Sequence, residues 1–337
     1  MKNAYLVAVI AGLAAAALQA AMLLPSLVGI VLFSLSSLPL FVTGFAYGPL
    51  PAAVAGLIGT LVLSAFANWQ AGFIFLAMAA IAPVVLTWLA LKHRRSDGTA
   101  AGEGEVTAAG LQWYPEGRLV LWAAGLAVAL MLASFVAGGG DLEALRTATT
   151  GVARRIGELL TNNDPARIAE VDTFVRVMVV LVPPATTIIW HLATMICLWL
   201  AARIVAASNL GLRPWAPFAS LRFPFASLWG LGGAGLLVMA SGITGPSGAS
   251  GGMAGLAGFA GSLALGAMTS AFMLLGLAVV HGLTTGLAGR GLILASLYLA
   301  LVLLQGILLA PLVALAIADM VFDLRGRSGG PAPPART

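Results

Sequence analysis

Trp190-His191, followed by Thr194, is the one place in this 337-residue chain where an ionisable side chain lies deep inside an apolar run. Helix positions three apart share a face, so His191 and Thr194 point the same way with the Trp190 indole beside them. An imidazole changes charge near neutral pH, and a membrane-buried ionisable group is a site hypothesis by default. The three residues could line a solute path or relay protons; a neutral His191 could instead simply hydrogen-bond one helix to another. All twelve acidic residues, from Asp97 to Asp323, fall in loops or at predicted helix ends. Transporters driven by protons or sodium commonly keep a carboxylate near the midplane, so ion coupling is not expected. Three histidines and the single Cys197 are too dispersed to ligate zinc or iron, and no HExxH, P-loop or GxSxG pattern occurs. No catalytic residue, metal or cofactor is predicted, and one cysteine allows no intrachain disulfide.

The elements that position these residues are membrane helices. Hydrophobic residues make up 60% of the chain and charged residues 9%, against roughly 25% charged residues in soluble domains. A spanning helix takes about 20 apolar residues, and the apolar runs supply eight to ten membrane segments. The predicted fold class is therefore all-α, a polytopic transmembrane helical bundle with an outer amphipathic helical insertion. The net charge of +5 comes from 15 Arg and two Lys against 12 acidic residues. In such a chain a basic balance reports cytoplasmic loops facing anionic lipid, not a nucleic-acid footprint.

Residues 4–91 read as four crossings: Ala4–Leu24, Leu27–Ala46, Leu50–Ala67 and Ala71–Leu91. Pro25-Ser26 turns between the first two, and Tyr47-Gly48-Pro49 makes a corner between the next pair. Gly44, Gly48, Pro49, Gly56 and Gly59 around that corner are predicted helix-packing residues, because small residues at helical spacing let backbones approach closely. Lys92-His93-Arg94-Arg95 marks a cytoplasmic end, which puts the N-terminus in the cytoplasm as well. Residues 92–117 form a cytoplasmic linker; from Ser96 to Gly117 it has no apolar period and is expected to be flexible.

Residues 118–324 form a second half, with an extracytoplasmic insertion over 138–182. Arg118–Ala137 crosses outward, and Asp141 suits the N-cap of a helix whose stripe Leu145, Val152, Ile156 and Leu159 suggests an interfacial element. The reading preferred here is a lid packing that stripe on its own bundle. Asp164-Pro165 opens another helix, and Pro183-Pro184 is expected to break it, leaving a separate crossing over Pro184–Ala206. The loop Gly211–Pro224 carries Arg213, Trp215, Phe218 and Arg222, which would lie in the headgroup layer or dock a partner. Phe225–Thr244 and Met253–Gly282 cross next, joined by the uncharged turn Gly245–Gly252. Leu292–Leu324 is 33 residues, about 50 Å as one helix, too long for one untilted crossing; Gln305-Gly306 and Pro311 favour a hairpin of Leu292–Leu304 and Ile307–Phe322. That hairpin would return the C-terminus to the cytoplasm, and residues 325–337 form a disordered tail. Gln19, Gln305, Thr186 and Thr187 are neutral groups suited to joining helices.

The pattern Pro39, Tyr47-Gly48-Pro49, Gly56 resembles the N-terminal half of the substrate-binding S components of energy-coupling-factor transporters, over about residues 4–91. Together with Arg222-Phe223-Pro224, Trp229 and the ending Asp319, Phe322-Asp323-Leu324-Arg325, the chain resembles the YybS-like family of predicted bacterial membrane proteins, a domain of unknown function. The first resemblance implies that the Ala4, Ala8, Ala11 and Ala15 face could dock a transmembrane coupling subunit, although such a face more often serves plain helix packing. The expected function is that of a bacterial inner-membrane protein that binds or moves a small solute without ion coupling. The alternative is a non-transporting scaffold or regulator recruiting partners through the Arg/Trp loop and tail. The lipid bilayer is a partner in either case, and nucleic acid is not.

Overall fold

The computed structural model describes residues 2–24, 26–95, 110–162, 164–242 and 252–327. Seven of its helices are long and apolar enough to cross a membrane. Four fall in the first quarter of the chain. Helix α1 (Lys2–Ala20) is followed by α2 (Leu27–Ser34) and α3 (Leu38–Tyr47), which together make one interrupted span. Then come α4 (Pro49–Phe66) and a fourth span built from α5 (Trp69–Phe75), a π-helical turn over Leu76–Ala80, and α6 (Ile81–Ala90). Ser26 and Asn68 cap the starts of α2 and α5 by accepting from Gly29 N at 3.1 Å and Ala71 N at 2.8 Å. The chain divides into two compact units that alternate along the sequence: Met1–Ala123, Trp190–Ser227 and Ser270–Thr337 form the first, and Ala124–Ile189 with Leu228–Thr269 form the second.

In the first unit, Ala8, Ala11, Ala15 and Ala16 of α1 form one buried cluster with Ala55 and Leu63 of α4, Phe75, Ala79 and Ala80. A Cβ at Gly12 would stand 2.5 Å from Ala55 O. Ala8, Ala11, Ala15 and Ala16 of α1 thus pack on the chain's own α4. Gly44 and Gly59 are close-approach positions as expected, since a Cβ there would lie 2.5 Å from Thr87 Cγ2 and 2.6 Å from Phe75, while Gly56 meets Ala80 at 3.1 Å. Gly48 is different. No atom lies within 4 Å of where its Cβ would be, but its φ is +98°, so it is needed to turn the backbone into Pro49 and not to pack helices.

Lys92 ends this bundle with its ammonium 3.4 Å from the Trp88 ring centroid. The adjoining linker is more ordered than its composition suggested. Strands β1 (His93–Arg95) and β2 (Leu111–Trp113) pair antiparallel, held by Arg94 Nε donating to Gln112 Oε1 at 2.6 Å. Helix α7 begins at Glu116 and runs to Ala137. A three-residue strand is too short to show a period, which is why its pattern was not visible. Residues 96–109 of the linker lie outside the described residues, as do Pro25, most of the Gly245–Gly252 turn and the tail beyond 327.

In the second unit, α8 (Leu142–Leu160) is capped by Asp141, whose carboxylate accepts from Glu143 N and Ala144 N at 2.9 and 3.1 Å. Its contact with α9 (Ile168–Ala207) is made by Ala153 and Gly157 against Val171, Phe174 and Val175, with Arg154 paired to Asp172 at 2.9 Å. The stripe expected to pack inward is exposed: Leu145 38%, Val152 59%, Ile156 45% and Leu159 71%. The small-residue face wins the contact because it allows the closer approach.

The expected break at Pro183-Pro184 does not occur, and α9 continues through both prolines for 40 residues, about 60 Å. Its neighbour α11 (Gly252–Leu283) accommodates the lost amides. Gly266 lets α11 lie directly against Pro184 O, and Thr187 Oγ1 donates to Pro184 O and to Leu263 O at 2.9 and 3.0 Å. Neighbouring helices and hydroxyls of this kind allow prolines inside membrane helices. Between them, α10 (Ser227–Ala240) is a shorter apolar helix of 14 residues.

The last apolar stretch is broken, as its length and Gln305-Gly306 implied. Helix α12 (Arg290–Leu303) and the segment containing α13 (Leu309–Phe322) are bent by 119° relative to each other, and one turn, α14 (Leu324–Arg327), follows. Gly276 of α11 lies against the Leu312 backbone. Met273, Leu277 and Leu312 form the core of this contact, joined by Leu297 and Leu301.

Two glycine substitutions should separate packing from backbone conformation. Gly44→Ala should lower the melting temperature of detergent-purified protein, since overpacking costs about 1–3 kcal/mol, and Thr87→Ser in the same chain should recover most of the loss. Gly48→Ala should cost about 1–3 kcal/mol through its positive φ, with no recovery from any neighbouring truncation.

Candidate functional site

Helix α9 delivers Trp190, His191, Thr194 and Cys197 to the first unit. The His191 side chain is fully buried: its Nδ1 is 2.8 Å from Ser270 Oγ on α11, and its Nε2 is 3.2 Å from Val120 O on α7. A carbonyl can only accept, so in the neutral ring the hydrogen sits on Nε2 and Nδ1 accepts from the Ser270 hydroxyl. Thr194 is also buried. Trp190 turns to a different neighbour, donating from Nε1 to Met78 O at 2.8 Å. That carbonyl belongs to the π-helical turn Leu76–Ala80. One turn further, Cys197 Sγ lies 3.4 Å from Ser34 O, where α2 ends and the backbone leaves α-helical geometry before α3, with Ser36 and Ser37 buried. His191 and Trp190 thus reach different neighbours, and these were not foreseeable: Ser270 and two backbone carbonyls carry no sequence signal.

The second cluster lies along the loop after α9. Arg213 was expected to face headgroups or a partner; it is instead buried, donating from Nη1 to Ala90 O at 2.8 Å and Tyr114 O at 3.2 Å. Its Nη2 is 3.4 Å from Glu116 Oε1, and its guanidinium lies over Trp215 at 4.4 Å. Trp215 in turn meets Phe45 edge-on at 5.1 Å. Together they leave a crevice of about 10 Å³ lined by Phe45, Ala202, Val205 and Trp215, room for about one water. Arg222 pairs with Asp323 at 3.0 Å, and Phe218 packs edge-on against His281 at 5.4 Å.

Asp319 and Arg325 form a buried pair that sequence reading did not single out as a site. Arg325 Nη2 is 2.7 Å from Asp319 Oδ2, with side chains 6% and 2% exposed. Nη1 of the same guanidinium donates to Ala219 O and Leu221 O at 2.7 and 2.9 Å. The C-terminal turn is thereby fastened to the loop. The available signal was the six-residue spacing of opposite charges at the end of an apolar helix, which an intervening αL residue, Asp323 at φ +50°, brings face to face.

No group of three or more His, Cys, Asp or Glu side chains able to hold a metal ion occurs among the described residues. No family model, no curated protein and no solved structure matches the chain.

Arg325→Met should destabilise the protein by about 3–5 kcal/mol, because it leaves a buried carboxylate unpaired. The double variant Asp319→Leu, Arg325→Met should recover part of the melting temperature. If the single and double variants melt together at the lower temperature, the carbonyl contacts and not the ion pair hold the turn.

Proposed function

We propose that the protein is a multi-pass protein of the bacterial cytoplasmic membrane that binds a small solute around Trp190, His191 and Thr194, and moves or presents it without ion coupling. The observation carrying this reading is that two backbone irregularities within membrane spans, the α2–α3 break and the π-helical turn, both abut the α9 segment that holds His191. In a bilayer, irregular backbone persists only where it is buried in protein or lines a cavity. Solute sites of membrane carriers are typically built from such broken helices, and π-helical turns often mark functional positions. The polar contacts of Trp190 and His191 go to a hydroxyl and to carbonyls, groups whose bonds a solute could exchange at a net cost of about 1 kcal/mol each. Selectivity would follow from donors and acceptors in fixed positions between apolar walls.

The positive charges support one orientation. Lys92, Arg213, Arg222 and Arg325 belong to segments linked by contacts: Arg213 to Ala90, Arg222 to Asp323, and Arg325 to Ala219 and Leu221. A Cβ at Gly282, near the end of α11, would be 2.8 Å from Arg325 Cδ. The positive-inside rule supports a cytoplasmic assignment for this face, and the 119° bend after α12 is compatible with a C-terminus on the same side.

Screening detergent-purified protein by thermal shift against vitamins, nucleosides and other small polar solutes should yield a stabilising ligand. His191→Leu should abolish its binding while retaining the fold. A variant that loses stability yet keeps ligand affinity would assign His191 to helix packing, and a stable co-purifying protein with no solute hit would favour the scaffold role. Green fluorescent protein fused after Arg327 should fluoresce and alkaline phosphatase at the same point should be inactive; the reverse pattern would place the tail outside.

A further inference from the structure

Arg290 opens α12 after a left-handed Gly289. Among the described residues it forms no ion pair, and its Nε is shielded from solvent with no acceptor. This distinguishes it from Arg213, Arg222 and Arg325, each matched by a carboxylate. A buried guanidinium nitrogen without a partner costs stability unless another group supplies the acceptor. The surroundings indicate which acceptor fits. His281 near the end of α11 is half-buried and within electrostatic reach of Arg290, and its Nε2 is 3.0 Å from the Tyr298 hydroxyl, two turns further along α12. Tyr298 is 45% exposed. Among the described residues no carboxylate bonds to these three side chains.

On its other side α12 is bare and apolar, with Leu292 74%, Leu299 58%, Val302 73% and Leu303 69% exposed. An unpaired cationic group at the start of the helix, a hydrogen-bonded His281–Tyr298 pair and exposed aliphatic side chains along its length match an amphiphile with a phosphate head and acyl tails. Basic sites between helices at the cytoplasmic surface commonly take such headgroups. We propose that Arg290, His281 and Tyr298 form a phosphate-binding site, and that its ligand is an anionic phospholipid whose tails lie along α12. Arg290 supplies the charge and a planar donor fork suited to phosphate oxygens, and the His281–Tyr298 pair supplies neutral hydrogen bonds. The site is separate from the proposed solute site, and neither depends on the other.

The test uses the full chain, purified and delipidated in a neutral detergent, with phosphatidylglycerol, phosphatidylcholine or inorganic phosphate added. Melting temperature is the first readout, and the number of lipids retained in native mass spectrometry is the second. Phosphatidylglycerol should raise the melting temperature and leave one more bound lipid than phosphatidylcholine does. Arg290→Gln should remove that difference, and Tyr298→Phe, a milder change, should reduce it by at least half. The proposal is overturned if both variants keep the wild-type response, or if the two lipids act alike on the wild type. A shift produced by inorganic phosphate alone, with phosphatidylglycerol adding nothing, would assign the same residues to a free phosphate and overturn the lipid assignment.

Discussion

Every polar group that enters a bilayer must find its partner inside the protein, because hydrocarbon offers none. That constraint explains the helical content and also the details that depart from regular helix. α9 runs on through Pro183 and Pro184, and just past them Gly266 admits α11 while Thr187 lies within hydrogen-bond reach of carbonyls on both helices. At the π-helical turn, the Met78 carbonyl is taken up by the Trp190 indole. At the end of α2, the Ser34 carbonyl faces the Cys197 thiol. The irregular places are thus joined to α9, which carries the chain's most deeply buried titratable side chain.

Between lipid-embedded helices the hydrophobic effect adds little, so contact distance governs association. Gly12 against Ala55, Gly44 against Thr87 and Gly59 against Phe75 draw the N-terminal helices together, and Gly276 against Leu312 does the same for α11 and α13. The same rule decides the face α8 uses: Ala153 and Gly157 reach α9, while the larger aliphatic side chains remain outside.

Arginine ties together loop and helix-end segments of the first unit. Arg213, Arg222 and Arg325 each join chain segments far apart in sequence, with Arg213 and Arg325 satisfying backbone carbonyls that a loop would otherwise leave unbonded. A buried charge is stable only when paired and hydrogen-bonded, and Glu116, Asp323 and Asp319 meet that requirement. Residues that in sequence resemble a surface for lipid or partners therefore act largely within the chain, and Arg290 stands apart from them.

Apolar run lengths by themselves determined the membrane class, the four N-terminal spans to within a few residues, the Asp141 cap and the break near Gln305, because each depends on local composition or on a residue's own backbone preference. Depth in an apolar run likewise pointed to His191. The close approach of α11 at Pro184 depended on Gly266, more than 80 residues away, and the face used by α8 depended on what α9 offered it. The Gly48 position looked in sequence like Gly44, yet only the fold distinguishes a glycine needed for contact from one needed for its φ of +98°. Ser270, the Val120 and Met78 carbonyls, and the Asp319–Arg325 pair became visible only in three dimensions. Hydroxyls and backbone carbonyls occur throughout any chain, and tertiary packing alone selects which of them meet.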